Sequence, residues 1–331
     1  MQRQVDVGIF AHNEAAGIAA MLAGLMAQDA HTRADLSVRV LVLANGCRDA
    51  TAALARTVPG VEVAEVTEGG KSRTWNRFVH DLVRPDAGVL VFVDADIALP
   101  QPDALSRLID GLADRPGLQV LSSRPVKDIV ADPVGLTATE RLIARATGGL
   151  DDWKSAICGQ LYAMPADAAR RFHLPAGLPV EDGFLRAMVL TDALTHPEDL
   201  GRIDGQDGVH HLYASERTIG PLIRHQVRLV IGGAVNLACF QHLSRLPAGQ
   251  RRAELARAAG DDAWLGRVIR AELPRWPDGY VPVHFAVKRM MRADWRRPAR
   301  WPLLLTAFGF DLIVYGSAQF RMARGHGAGF W

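Results

Sequence analysis

The sequence predicts an α/β fold: a mostly parallel, Rossmann-like sheet flanked by helices, followed by a helical C-terminal extension. Three observations predict it. Short runs rich in apolar, β-branched residues recur at residues 5–11, 38–43, 61–66 and 89–93, the last of them uniformly apolar. Stretches with helical spacing of apolar residues lie between them. Polar clusters follow the runs directly. Continuous apolar strands separated by helices mark a parallel sheet covered on both faces. In such sheets, ligands bind at the carboxyl ends of the strands.

The elements follow in order. Residues 5–11 form a β-branched run that ends in a polar turn. Residues 14–28 carry Ile18, Met21, Leu22, Leu25 and Met26 at helical spacing. Residues 38–43 read as the second strand, 49–57 as a helix, and 61–66 as the third strand. Residues 71–83 read as a helix with Trp75, Phe78, Val79 and Leu82 on one side. Residues 89–93 form the fourth strand. Beyond them the pattern is less regular. A helix is expected at 133–146, a strand at 156–164, a helix at 181–190, and a largely apolar segment at 221–240.

With 331 residues, 49% of them hydrophobic, the chain can bury a sizeable core. Charge is uneven: residues 241–331 hold 15 Lys and Arg against 7 Asp and Glu, although the whole chain carries only +2. We divide the chain at this shift, into residues 1–240 (donor half 1–125, acceptor half 126–240) and a basic helical region, 241–331. Such a region suits phosphate-bearing substrates or lipid headgroups. Nucleic acid is not an expected partner. The three cysteines, Cys47, Cys158 and Cys239, lie far apart with no C-x-x-C pair, which argues against a cysteine zinc site. No basic segment with a long apolar run opens the chain, so the expected location is cytoplasmic. Peripheral contact with the inner face of the cell membrane remains open.

That contact is suggested by residues 301–320. They are apolar except for Thr306, Asp311, Ser317 and Gln319, and arginines lie on both sides. Two readings stay open: a helix lying on a membrane surface, or a helix docked on the domain.

Four clusters carry chemistry. Asp94-Ala95-Asp96 follows the fourth apolar run; carboxylates one residue apart on an extended segment share a side. Hard oxygen ligands suit Mg²⁺ or Mn²⁺, which bridge carboxylates to phosphates. Ala11-His12-Asn13-Glu14 closes the first strand, where Asn13 also suits helix capping. Asn45-Gly46-Cys47-Arg48-Asp49 closes the second, with a tight turn at Asn45-Gly46 and Asp49 able to cap the next helix. Gly69-Gly70-Lys71 lets the backbone approach a ligand closely and offers Lys71 to phosphate. Neither a P-loop nor a G-x-G-x-x-G follows a strand, which disfavours those nucleotide folds.

This ordered set resembles the family 2 glycosyltransferases of the GT-A fold. Their usual pattern opens with Tyr-Asn-Glu, continues with Asp-Gly-Ser-x-Asp-Gly-Thr, and ends the donor half with Asp-x-Asp. Here His12 replaces the tyrosine, Ala44 and Asn45 stand near the expected aspartates, and Ala50 replaces a glycine. The resemblance implies a nucleotide-sugar donor bound by Ala11, Asn13, Glu14, Asn45, Lys71, Asp94, Ala95 and Arg228. A UDP-sugar is the expected donor, with uracil and guanine both open as the base. It implies Mg²⁺ or Mn²⁺ at Asp96 and Asp94, with His210 as a candidate further ligand. Gly159 and Gln160 fall in its acceptor loop. Glu181-Asp182 matches its Glu-Asp element, which implies Asp182 as general base supported by Glu181, and inversion at the anomeric carbon. Gln226 and Arg228 partly match its Gln-x-x-Arg-Trp element, and Arg224 or Arg228 is a candidate for holding the departing diphosphate. The acceptor is not specified; a lipid-linked one suits the basic, apolar C-terminus. Two alternatives stay open: a nucleotidyltransferase of similar α/β fold, and a catalytically inactive transferase-like binding protein.

Overall fold

The computed structural model describes residues 2–137, 140–141, 144, 152–273, 279–293, 295, 301–325 and 327. Of the helix expected over 133–146, residues 133–137 form turn and loop, residues 140, 141 and 144 are helical, and the others lie outside the described residues.

The first half follows the sequence pattern. Strand β1 (Arg3–Ala11) leads to α1 (Ile18–Met26), β2 (Leu36–Asn45), α2 (Thr51–Ala55) and β3 (Val61–Val66). Helix α3 (Lys71–Arg77) runs into a wider turn over Phe78–Leu82 before β4 (Val89–Asp94). Strands β1, β2, β3 and β4 pair in parallel, and β1 and β4 are buried along most of their length. Helix α1 starts four residues later than the spacing suggests. Asn13 adopts a positive φ of 55°, so the chain first turns through residues 14–17. Asn13 therefore bridges loops and does not cap the helix: its Oδ1 accepts from the Arg48 amide at 2.8 Å.

The second half adds β5 (Ile97–Ala98), α4 (Ala104–Ala113), β6 (Val120–Lys127), β7 (Leu161–Pro165), α5 (Glu181–Thr191) and β8 (Ile203–Tyr213). The eight strands lie in the order β3-β2-β1-β4-β7-β6-β8-β5. Strand β7 is antiparallel to both β4 and β6, so the sheet is mixed beyond β4. The expected strand at 156–164 starts later, because residues 156–160 form the loop that leads into β7.

The C-terminal part is helical: α6 (Ile219–Arg245), α7 (Ala248–Ala259), α8 (Trp264–Glu272), α9 (His284–Arg292) and α10 (Trp301–Ala323). Among the described residues, no helix is long and apolar enough to cross a membrane.

Two apolar layers sandwich the sheet. One joins α1 and α4 to its first face through Leu22, Leu25, Leu105 and Ile109. The other joins α3, α5 and the C-terminal helices to the opposite face. In that layer, Trp75 of α3 stacks on Phe92 of β4 at 5.7 Å, and Phe92 stacks on Tyr162 of β7 at 4.6 Å. The Trp75 indole N–H donates to the Tyr162 hydroxyl at 3.0 Å, which satisfies both buried polar tips. This stack fixes α3 on the sheet, and so fixes Lys71 at the start of that helix.

Helix α6 holds the start of α5. The Asn236 side-chain amide donates to the Val180 carbonyl at 3.0 Å. Gly232 faces Val180 so closely that an added Cβ would lie 2.7 Å from the valine Cβ. Overpacking of this kind typically costs about 1–3 kcal/mol. Gly232→Ala is therefore expected to destabilise the fold by about that amount, read from a denaturant curve.

Candidate active site

The polar ends of β1, β2 and β4 meet the loop before β7 and the start of α5. Phe10 pairs with Asp94 across β1 and β4, and the Ala95 amide donates to the Phe10 carbonyl at 3.1 Å. This register sets Ala11 and Ala95 side by side as buried backbone positions.

Lys71 stands at the centre. Its Nζ lies 2.7 Å from Asp94 Oδ1 and 3.2 Å from Glu181 Oε1, and it donates to the Gly159 carbonyl at 3.1 Å. One ammonium thus ties the first-half carboxylate to the acidic pair on α5. All three side chains are at least four-fifths buried. Burial alone would drive the Lys71 proton off, but Asp94 and Glu181 more than reverse this and hold its pKa above the ordinary value.

One cation does not balance the carboxylates around it. Burial pushes Asp94 up to about 7, against the opposing pull of Lys71 and with a further push from Asp96. Burial, then the Glu181 charge, pushes Asp182 up to about 6; Lys71 and Arg228 pull the other way. Asp182 sits against Gly159, where an added Cβ would come within 3.1 Å of its Cβ. Arg228 of α6 faces this group, and its buried Nε has no hydrogen-bond partner.

Asp96 is exposed. Glu14 faces it: burial raises the Glu14 pKa, and the charges of Asp96 and Asp49 raise it further. The exposed oxygen-rich patch around Asp96 fits a hard divalent cation. Among the described residues, no three His, Cys, Asp or Glu side chains are arranged as a full metal shell. His210 is not joined to Asp94 and Asp96 in such a group; its ring and amide contact the Gln101 side chain at 2.8 and 3.1 Å.

Beside this cluster is a cleft of about 450 Å³ at the ends of β1, β2 and β3, lined by His12, Asn13, Ala44, Gly46, Thr67 and Gly69. Its wall is built by two interlocked turns. The Asn45 side chain accepts from the Gly70 amide at 2.8 Å, and an added Cβ at Gly46 would meet the Gly69 Cα at 2.9 Å. Both Gly46 and Gly70 have positive φ, so glycine is required twice over. Asn45 is buried and acts on the loop itself; its carbonyl also meets the His12 ring at 2.6 Å. Asp49 accepts from the Thr51 amide, as its capping pattern suggests, and also from the Ala15 amide, both at 3.1 Å.

Gln160 is held at both ends. Its backbone carbonyl accepts from the Asp94 amide at 2.8 Å, and its side-chain Oε1 meets His211 Nε2 at 3.0 Å. The other His211 nitrogen meets the Ser123 hydroxyl. Burial pushes His211 down to about 4, so the ring is neutral, and an acceptor oxygen at Nε2 requires the proton there. Sequence reasoning passed over Ser123, and it noted His211 beside His210 without assigning it a role at Gln160. Alternation along β8 could have singled out the histidine, because Val209 and His211 face inward while His210 does not. Cys158 is no nucleophile: burial pushes its thiol up to about 12.

Residues 6–165 match the family described as glycosyl transferase family 2. Similar solved structures include the mannosyltransferase PcManGT from Pyrobaculum calidifontis in complex with GDP-Man and Mn²⁺. It is 16% identical with a TM-score of 0.51, over 97% of this chain and 87% of that one. The mannosyl-3-phosphoglycerate synthase from Rubrobacter xylanophilus is also 16% identical, with a TM-score of 0.50, over 74% and 76% of the two chains. No curated protein sequence matches the chain. The match covers the first half of the chain, and the chain as a whole shares the GT-A fold of these transferases.

Removing the central cation leaves buried carboxylates unpaired, which typically costs about 3–5 kcal/mol. Lys71→Met is therefore expected to destabilise the protein strongly at pH 8. Asp94 already has a raised pKa, and losing Lys71 raises it further. The penalty exists where the carboxylates are ionised and is relieved as pH falls through their folded-state values. Melting curves of the variant and wild type should therefore converge towards pH 5; equal gaps at both pH values would contradict this electrostatic account.

Proposed function

We propose that the protein transfers a sugar from a nucleoside diphosphate sugar, with UDP-sugar as the first candidate, to an acceptor hydroxyl, with inversion and with help from a divalent metal. The observation that carries this reading is the Lys71 bridge, which brings a strand-end carboxylate of the donor half together with the Glu181-Asp182 pair of the acceptor half. A leaving group and a base need to act on opposite sides of one sugar carbon, and this bridge supports that division.

In this reading the cleft beside His12, Ala44, Gly46 and Thr67 takes the nucleoside. The bulk of Ala44 and the backbone of the two turns limit the base. Lys71 and Arg228 face the diphosphate; the partnerless Arg228 Nε favours an anionic ligand. Asp94 and Asp96 would hold Mg²⁺ or Mn²⁺ together with phosphate oxygens. The bound metal would offset charge on the departing diphosphate. Surplus negative charge around Lys71 supports this, because a diphosphate entering without added positive charge would face repulsion.

Asp182 is the general base. Its pKa of about 6 suits a group that must be ionised at neutral pH yet take a proton during transfer. Glu181 raises that basicity and anchors Lys71. Gln160, held by His211, orients the acceptor beside Gly159. Residues 1–240 form the transferase unit, and residues 241–331 are an extension that contacts the inner face of the membrane. A lipid-linked acceptor fits that arrangement.

Four outcomes are expected. Wild-type protein should melt at a higher temperature with UDP plus Mn²⁺ than with either alone, since a native-state ligand raises stability. Asp96→Ala should lose that metal-dependent shift; an undiminished shift would remove Asp96 from the metal site. Asp182→Asn should keep nucleotide binding and lose turnover by about a hundredfold or more, the scale of a lost general base. In the wild type, kcat/KM should fall as pH drops through about 6, where Asp182 takes up its proton. A profile flat down to pH 4 would assign the base elsewhere.

A further inference from the structure

Helices α6 and α10 pack together, and a cavity of about 430 Å³ opens between them. Ile223, Val227 and Phe320 supply its apolar surface, and Arg224, Arg321 and Arg324 supply its charge. Among the described residues that line it there is no carboxylate. The Arg324 guanidinium lies over the Phe320 ring at 4.0 Å, which holds the charge at the mouth.

The outer side of α10 continues from this mouth. Trp301, Leu305, Leu312, Ile313 and Phe320 are exposed, and their spacing places them on one face of the 23-residue helix. The charged residue within 301–320, Asp311, points elsewhere: its carboxylate pairs with Arg289 of α9 at 3.0 Å and is largely buried. The exposed face is therefore apolar for roughly 30 Å, at 1.5 Å per residue. Helix α10 is apolar around most of its circumference, and its uncovered outer face with arginines at the end is an apolar patch bordered by positive charge.

We propose that the α6–α10 cavity binds the phosphate headgroup of an anionic membrane lipid, with the outer face of α10 resting against the acyl chains beside it. This deepens the peripheral-membrane reading above and rests on it. Phe320 belongs to both surfaces, so a lipid seated in the cavity would direct its chains along the exposed face. Arg224 lies one helical turn before Arg228, so the same helix that faces the transfer site also reaches the headgroup.

The test is vesicle sedimentation of the full chain. Phosphatidylcholine vesicles are compared with phosphatidylcholine–phosphatidylglycerol vesicles. The wild type should bind the anionic vesicles far better. R321Q/R324Q should lose affinity for them by about thirtyfold, the loss expected when two arginines leave an anionic surface. R321K/R324K should keep most of it, which separates charge from packing. Leu305→Asp/Ile313→Asp should lose binding to both vesicles, and melting curves report whether each variant is folded. Unchanged anionic-vesicle binding by a folded R321Q/R324Q overturns the headgroup site and leaves the membrane reading intact. Failure of the wild type to bind any vesicle overturns both, without touching the assignment of the transfer site.

Discussion

The ammonium of Lys71 is the constraint on which the site depends. It sits among Asp94, Glu181 and the Gly159 carbonyl, and so joins three separate stretches of chain. The pairing of β4 with β7 already sets Asp94 beside the Gly159 loop, and the ammonium offsets the repulsion between the Asp94 and Glu181 carboxylates. The surrounding fold works to place this one group. Gly70 takes a backbone conformation that starts α3 at Lys71, and the Trp75–Phe92–Tyr162 stack holds that helix to the sheet.

The same arrangement leaves charge unbalanced. Asp94 and Asp182 both resist ionisation, since burial removes water and a single lysine cannot compensate several carboxylates. Such sites cost stability and persist where chemistry needs them. Helix α6 carries the response: Arg228 reaches the acidic group, while Gly232 and Asn236 press and bond the Val180 turn from which α5 begins. Stability and site geometry therefore share one interface.

The donor half was legible because its signals are local. Buried parallel strands read as apolar runs, and residues 61–66 were bounded as they stand in β3. Shorter or shifted elements escaped where tertiary contacts override the pattern. Helix α1 starts late because Asn13 serves a loop contact with Arg48. Strand β6 pairs with β7 over only two residues, shifts register against β8, and carries Pro125, so its pattern is weak in sequence. Family resemblance pointed to Lys71, Asp94, Glu181, Asp182, Gly159 and Gln160, and the fold brings these together. The Ser123–His211–Gln160 chain was not legible, because it joins residues from three strand regions that sequence order keeps far apart. Asn76 of α3 teaches a similar lesson, because both ends of its amide clamp the backbone of Leu174, 98 residues away in sequence.

A crystal structure of the protein grown with UDP and Mn²⁺ tests the central claim most directly. The account predicts diphosphate density among Lys71, Arg228 and the Asp94–Asp96 segment, an anomalous manganese peak on Asp96, and the uracil ring in the cleft beside Ala44 and Thr67. Nucleotide bound away from Lys71, or a metal peak with no contact to Asp94 or Asp96, would contradict it.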